Sequence, residues 1–332
     1  MKTVSFGVEN LCVPCQAHCR YCLLSSCGKA TGVDYERGKR FAARLYDEVR
    51  DKRPDLHFFH YIGYCMDSEY LADYIRFSQE ISSPSADFLQ LNGLRQRSEE
   101  ETDLLITKIV DCGIKLIDLT FYGLRDYHDR FAGRSGDFDF LVRLLRIARK
   151  YSLAVHVSIP ITKENMEEID ELVALLESYC CGEIGVFLPH GKGRGRFLDS
   201  SRLRKENLAV LSKRVQNRLP ACRTEGEWLA AGGVQTPTKR TLTLALTPGE
   251  IDRLESMRLE EILAYLEDLD DRYYAAIPSC EELAERYGDP AGTRLYRRFR
   301  DLHLEWQQRY LAEHNLKIWD MNDESHHFSV RT

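Results

Sequence analysis

Residues 12–22, Cys12-Val-Pro-Cys15-Gln-Ala-His-Cys19-Arg-Tyr-Cys22, place four cysteines in eleven positions. They follow directly on the strand-like run TVSFGV at 3–8, and a fifth, Cys27, stands close behind. Thiols crowded into the loop after a first strand have three physical explanations: disulfides, a zinc site or an iron–sulfur cluster. Each makes a different demand on spacing and surroundings.

Disulfides need an oxidising compartment. The opening stretch MKTVSFGVENLCVPC has no apolar core and no small-residue cleavage site, so no export signal and a cytoplasmic location are expected. Thiols there stay reduced, and cysteines two or three residues apart bridge poorly. Zinc is a stronger rival. Cys12-x2-Cys15 and Cys19-x2-Cys22 form two pairs, and four thiolates close a tetrahedron. Only three residues separate the pairs, where structural zinc sites commonly leave about a dozen or more. An iron–sulfur site asks for less. The Cys-x3-Cys-x2-Cys of 15–22 offers thiolates to three irons and leaves a fourth open to a small chelating molecule. A bacterial-ferredoxin run is spaced differently and ends in Cys-Pro, whereas Leu23 follows Cys22. On the residues alone, zinc and iron–sulfur both stay open.

The rest of the chain sets the context. Its 332 residues are 43% hydrophobic, with a formal charge of −6 and a pI near 6.0. That balance argues against a nucleic-acid partner, since phosphate binding needs a concentrated basic surface. No apolar run approaches the ~20 residues that span a bilayer. Strand-like runs at 3–8, 56–63, 86–92, 115–123, 153–161 and 183–189 alternate with amphipathic stretches at 35–52, 68–82, 98–113, 136–152 and 163–179. Ser98 with Glu101 three residues later marks a helix start, and Gly113 a stop. Strands separated by helices mean βαβ units and a parallel sheet, with right-handed crossovers. The expected architecture is α/β, a partial (βα)6 barrel over 1–200. A mostly helical C-terminal extension with one strand, 201–332, caps it. In that extension a sixth helix is expected in SSRLRKENLAVLSKRVQNRL, a loop in EWLAAGGVQTPTK, a strand in RTLTLALT, and a helix from Pro248 onward. Active sites of such folds lie at the C-terminal ends of the strands, where the cysteine loop falls.

Here the sequence resembles the radical S-adenosylmethionine (radical SAM) superfamily, whose signature is Cys-x3-Cys-x-aromatic-Cys after the first strand. Residues 15–22 match it, with Tyr21 at the aromatic position, and the resemblance extends over residues 3 to about 200. It implies a TIM-barrel-like fold, a four-iron four-sulfur (4Fe–4S) cluster on Cys15, Cys19 and Cys22, and S-adenosyl-L-methionine on the open iron. It also implies a radical reaction started by reductive cleavage of that cofactor, and an electron donor such as flavodoxin or ferredoxin. Gly63 and Tyr64, in YIGYCMDSE, fall where the family often has Gly-Gly-Glu around the methionyl amine. The second glycine and the glutamate are absent, and Asp67 is the candidate substitute acid. Asn92 and Gly93 match a frequent Asn-Gly after the third strand, and Ser158, with Thr162, the polar residues that touch ribose; the resemblance thus implies that Asn92 and Ser158 hold the cofactor's carboxylate and ribose, with Tyr21 also a cofactor-binding residue. FYGLRDYHDRFAGRSGDF resembles a segment of peptide-modifying members, which makes Gly123, His128, Asp129 and Arg134 candidates facing the mouth of the fold. In FLPHGKGRGR, Arg194 or Arg196 is a candidate partner for a carboxylate. Cys12 and Cys27 stand outside the signature, and a single cluster is expected. The substrate implied is a peptide or a small metabolite. The alternative is a zinc- or iron–sulfur-binding module without radical catalysis.

Overall fold

The computed structural model describes residues 1–22, 30–63, 65–82, 87–179, 182–232, 238–318 and 320–321. Cys27 and Tyr64, both singled out in the sequence, lie outside the described residues. The first part alternates as the pattern requires: β1 (Lys2–Glu9), α1 (Tyr35–Lys52), β2 (His57–Tyr61), α2 (Leu71–Ile81), β3 (Phe88–Gln90), α3 (Glu99–Asp111), β4 (Leu116–Thr120), α4 (Arg125–Ala132), α5 (Asp137–Lys150), β5 (Ala154–Pro160), α6 (Ile169–Ser178) and β6 (Ile184–Phe187). The remainder holds α7 (Lys213–Gln216), β7 (Arg223–Thr224), α8 (Glu225–Ala230), β8 (Lys239–Ala245), α9 (Pro248–Leu254), α10 (Leu259–Ala276), α11 (Cys280–Tyr287), β9 (Leu295–Tyr296) and α12 (Phe299–Glu313).

The long βα units form where local chemistry is consistent. Asp34 accepts a hydrogen bond from Arg37 N at 2.9 Å and starts α1. Ser98 and Glu101 make a reciprocal capping box at the head of α3, satisfying two donors that a helix start leaves orphaned. Helix α4 was not legible in the sequence. It closes on Gly133, whose φ of +64° is a left-handed cap, a conformation that costs a residue with a Cβ about 1–2 kcal/mol. The expected sixth helix does not form as one piece. Residues 193–201 and 205–210 are 3-10 turns and only Lys213–Gln216 is α-helical. The backbone there is engaged across the fold, with Lys163 N on Ser201 O at 2.7 Å and Lys205 N on Thr293 O at 2.7 Å. The stretch expected as a loop, 227–239, begins inside α8.

All pairing in the two larger sheets is parallel. Strands β3-β4-β5-β6 form one sheet and β2-β1-β8 the other. Strand β8, from the expected C-terminal extension, lies along β1 with Phe6 opposite Leu242 and Glu9 opposite Ala245. Between the sheets, Tyr61 Oη donates to Gln90 Oε1 at 3.4 Å, joining β2 to β3. The strands alternate as a half-buried sheet must. In β4 and β5, Ile117, Leu119, Val155, Val157 and Ile159 are buried in a core with α3, α5 and α6. Asp118, Thr120, His156 and Ser158 point to the opposite face and are only partly covered. A second core joins Phe6, Val8, Leu242 and Leu244 to Phe41, Leu45, Ile262 and Leu266, each contributing about 2 kcal/mol by leaving water. A third gathers Leu283, Phe299, Leu302 and Trp306.

Candidate cysteine-loop site

The loop after β1 is held mostly by backbone hydrogen bonds. Val33 N donates to Asn10 Oδ1 at 3.0 Å, Asn10 Nδ2 donates to Val33 O at 3.2 Å, and Tyr74 Oη donates to Asn10 O at 3.1 Å. Further on, Gln16 N donates to Gly93 O (2.7 Å), His18 N to Ala132 O (2.8 Å) and Arg20 N to Phe131 O (2.9 Å). Arg194 N donates to Cys22 O at 2.9 Å. The cysteine segment is thereby fastened to the turn after β3, to the end of α4 after β4, and to the loop after β6.

Cys15 Sγ lies against Gly93. A Cβ at that position would stand 2.2 Å from the sulfur, and Gly93 has a φ of +77°. Two independent demands, close approach and a left-handed backbone, therefore meet at one glycine. Cys19 packs beside Tyr122, Phe131, Ala132 and Leu198 and accepts a hydrogen bond from Tyr122 Oη at 3.0 Å. Burial pushes its thiol up to about 12. The Tyr122 hydroxyl opposes this, and charge on Cys15 or Cys22 adds to it. The Tyr21 ring sits among Tyr122, Phe131, Phe187 and His190, with centroid separations of 5.7, 5.8, 6.3 and 6.4 Å. Its phenol is also raised by burial. Tyr21 is thus the apolar plug between two of the thiols and the ends of β4 and β6.

Cys12, Cys15, Cys19 and Cys22 are thiols rather than disulfides. Cys19 feels the charges of both Cys15 and Cys22. Among the described residues, no three His, Cys, Asp or Glu side chains stand as a converged metal site. The donor set nonetheless suits an iron–sulfur cluster in its chemistry: three thiols on one short segment, one cleared by a glycine and one facing a hydroxyl donor.

The other candidates divide. Asn92 makes an extra rung between β3 and β4, since its Nδ2 donates to Thr120 O (3.1 Å) and its Oδ1 accepts from Thr120 N (2.7 Å). Ser158 Oγ donates to Asp118 Oδ2 at 3.3 Å, and burial lifts the Asp118 carboxyl from 3.8 to about 6. Gly63 follows β2 and lies under the Tyr61 ring, where a Cβ would be 2.3 Å from the nearest ring carbon. Asp67, the substitute acid, is occupied elsewhere. It pairs with buried Arg97 and accepts from Arg95 N at 2.8 Å.

The segment expected at the mouth turns inward instead. His128 is 0% exposed. Its Nδ1 accepts from Tyr122 N (3.1 Å) and its Nε2 bonds Asp137 Oδ2 (3.2 Å), while Arg134 joins Asp137 to Leu94 O. Asp129 accepts from Phe138 N (2.9 Å) and from Gly136 N. Burying these polar groups costs desolvation, which the hydrogen bonds of His128, Asp129 and Asp137 offset; the Nε of Arg134 is buried without a partner. Gly123 is covered by Glu168, and Thr162 is buried against Tyr127 and Asn165. Arg196 is exposed, and its guanidinium lies 4.8 Å from the Phe197 ring centre. Sequence reasoning missed Tyr122, the residue that touches Cys19. Its only signal was its place at the end of the fourth strand-like run.

No protein-family model matches the sequence, and no curated protein matches it. Solved structures do. The chain is similar to Streptococcus suis SuiB in the structure of SuiB bound to precursor peptide SuiA. The TM-score is 0.51 and the identity 11%, over 73% of this chain and 58% of SuiB. It therefore spans well under two thirds of that protein. The structure of SuiB bound to S-adenosylmethionine gives a TM-score of 0.47 at 11% identity, over 73% of this chain and 51% of the other. Escherichia coli coproporphyrinogen III oxidase (HemN), described as a radical SAM enzyme, gives 0.38 at 15% identity, over 57% and 44%. At these identities the likeness to SuiB is one of fold, α/β with parallel sheets.

Proposed function

We propose that this chain is a radical SAM enzyme in which Cys15, Cys19 and Cys22 hold a 4Fe–4S cluster. The observation that carries this reading is the fastening of one three-cysteine loop to the segments that follow β3, β4 and β6. When bound, the cluster supplies the electron that cleaves S-adenosyl-L-methionine and starts radical chemistry. The protein's own groups have definable tasks. Gly93 leaves room for Cys15, Tyr122 donates to Cys19, and Tyr21 closes the apolar wall beside them. Gly63 and Tyr64 are the proposed neighbours of the cofactor's amine, and Ser158 with Asp118 those of its ribose. Asn92 sets the spacing of β3 and β4 at the same rim.

The two parallel sheets, bridged by Tyr61 and Gln90, are in this reading the wall of a partial barrel capped by the C-terminal helices. SuiB, which shares the fold, binds a precursor peptide. That supports a peptide substrate here, with a small metabolite as the other possibility. Flavodoxin or ferredoxin is the class of electron donor such a cluster needs.

The test is anaerobic reconstitution followed by dithionite and S-adenosyl-L-methionine. About four irons and four sulfides per chain, with release of methionine and 5′-deoxyadenosine, is the expected result. Stoichiometric zinc, or a reducible cluster that releases no deoxyadenosine, defeats the reading and leaves a metal-binding module without radical catalysis.

A further inference from the structure

A cleft of about 610 Å³ opens between the loop after β6 and helix α12. It is within the size range of small-ligand sites, and it shares a loop with the cysteine site. Arg194 N holds Cys22 O at 2.9 Å, while Arg202, eight residues on, lines the cleft. Arg202 is 6% exposed. One end of its guanidinium is held, Nη1 donating to Glu305 Oε1 at 2.5 Å. Glu305 is also bonded through Oε2 to Arg294. The other edge of Arg202 differs: its Nε is buried and has no hydrogen-bond partner. Nη2, on the same edge, lies beside Gly191, where a Cβ would stand 2.5 Å from Nη2 and 2.4 Å from Glu305 Oε1.

An unpaired buried guanidinium N–H is costly, and the Nε–Nη2 edge is one that takes a carboxylate with two parallel hydrogen bonds. The cleft sets five arginines against four carboxylates, a balance suited to a single negative charge more than to a dianion. Tyr296 and Trp306 add aromatic wall beside it.

We propose that this cleft is a carboxylate-binding subsite anchored by the Nε–Nη2 edge of Arg202. It takes the carboxylate of the substrate, carried either by an acidic peptide side chain or by a small organic acid. As a substrate subsite it rests on the radical SAM reading; as a carboxylate site it rests on Arg202 and Gly191 alone.

The experiment is ligand-observed NMR and calorimetry on the full chain. The probes are glutarate, the blocked pentapeptide acetyl-Ala-Ala-Glu-Ala-Ala-amide, its Gln counterpart, and inorganic phosphate. Binding of glutarate or the Glu peptide is expected, with the Gln peptide weaker by about tenfold or more and phosphate unable to displace either. Arg202→Lys keeps a charge for Glu305 and removes the two-pronged edge, so it is expected to lose about tenfold. Gly191→Ala places a methyl against both Nη2 and Glu305 Oε1 and is expected to do the same with Arg202 itself unchanged. Tighter binding of the Glu peptide than of glutarate assigns the acidic peptide, and the reverse order assigns the small acid. Equal binding of the Gln peptide, displacement by phosphate as readily as by glutarate, or native affinity in both variants overturns the subsite. Cys19→Ser, which loses the cluster on the reading above, is expected to bind the probes unchanged, so failure of the cluster and failure of the cleft give different results.

Discussion

Tyr122 Oη donates a hydrogen bond to Cys19 Sγ at 3.0 Å, across 103 residues of chain. The ring behind that hydroxyl is stacked on Phe131 at 4.7 Å, and its backbone N–H is held by buried His128. A donor fixed this firmly acts on the sulfur rather than following it. Tyr122→Phe is expected to cost about 1 kcal/mol of folding stability. With the cluster in place it should also lower the reduction potential, because a hydrogen bond to a cluster thiolate favours the reduced form. Anaerobic redox titration of the two proteins checks the direction; an unchanged potential means that the hydroxyl only packs.

The ligand assignment predicts unequal cysteines. Cys15→Ser, Cys19→Ser and Cys22→Ser should each abolish the visible absorption of the reconstituted cluster, whereas Cys12→Ala should retain it. Iron and sulfide analysis gives the count. Loss in Cys12→Ala would point to a closed four-thiolate site.

Gly93→Ala tests the close approach. Left-handed backbone at a residue with a Cβ costs about 1–2 kcal/mol, and the new methyl would collide with Cys15 Sγ. The expected variant folds with a lower melting temperature and takes up little iron. Full cluster loading would show that Cys15 moves away from Gly93 without cost.

His128→Ala removes a side chain that satisfies both Tyr122 N and Asp137. Unpaired buried groups and the cavity together are expected to cost about 3 kcal/mol, measured by urea denaturation. The loss should far exceed that of an exposed substitution such as Arg196→Ala.

Asp118 gives a pH prediction. Burial raises its carboxyl from 3.8 to about 6, so the folded state holds that proton more tightly than the unfolded chain. Its contribution to stability is fully present below about pH 4 and is lost as pH rises through about 6. Asp118→Asn should therefore be the more stable protein at pH 7, by on the order of 2 kcal/mol, and should converge with the native one near pH 4. Denaturation curves at the two pH values decide it. Ser158→Ala should act oppositely at pH 7, since it removes the donor that stabilises the ionised form.

Much of the local architecture was legible because its causes lie within one window of chain. The amphipathic period of 35–52 became α1 with those bounds, and Ser98 with Glu101 became a capping box. The strand-like runs at 115–123 and 153–161 became β4 and β5, whose alternation sets the apolar Ile117 and Val157 apart from the polar Asp118 and Ser158. The cysteine spacing at 15–22 was visible for the same reason.

Contacts between distant segments were not visible. His128 and Asp129 are expected from the sequence to face the mouth of the fold, yet the fold buries the first and gives both oxygens of the second to backbone N–H groups. Strand β8 is legible as the one strand of the C-terminal extension, but that it pairs with β1 is decided only by the fold. Arg202 carried no signal in the sequence; only the approach of Gly191 and Glu305 covers it, and its Nε is buried without a hydrogen-bond partner. Periodicity and capping depend on neighbours a few residues apart, so they are written in the chain. Burial and hydrogen-bond satisfaction depend on which segments meet, and parallel crossovers and loop packing settle that only once the chain has folded.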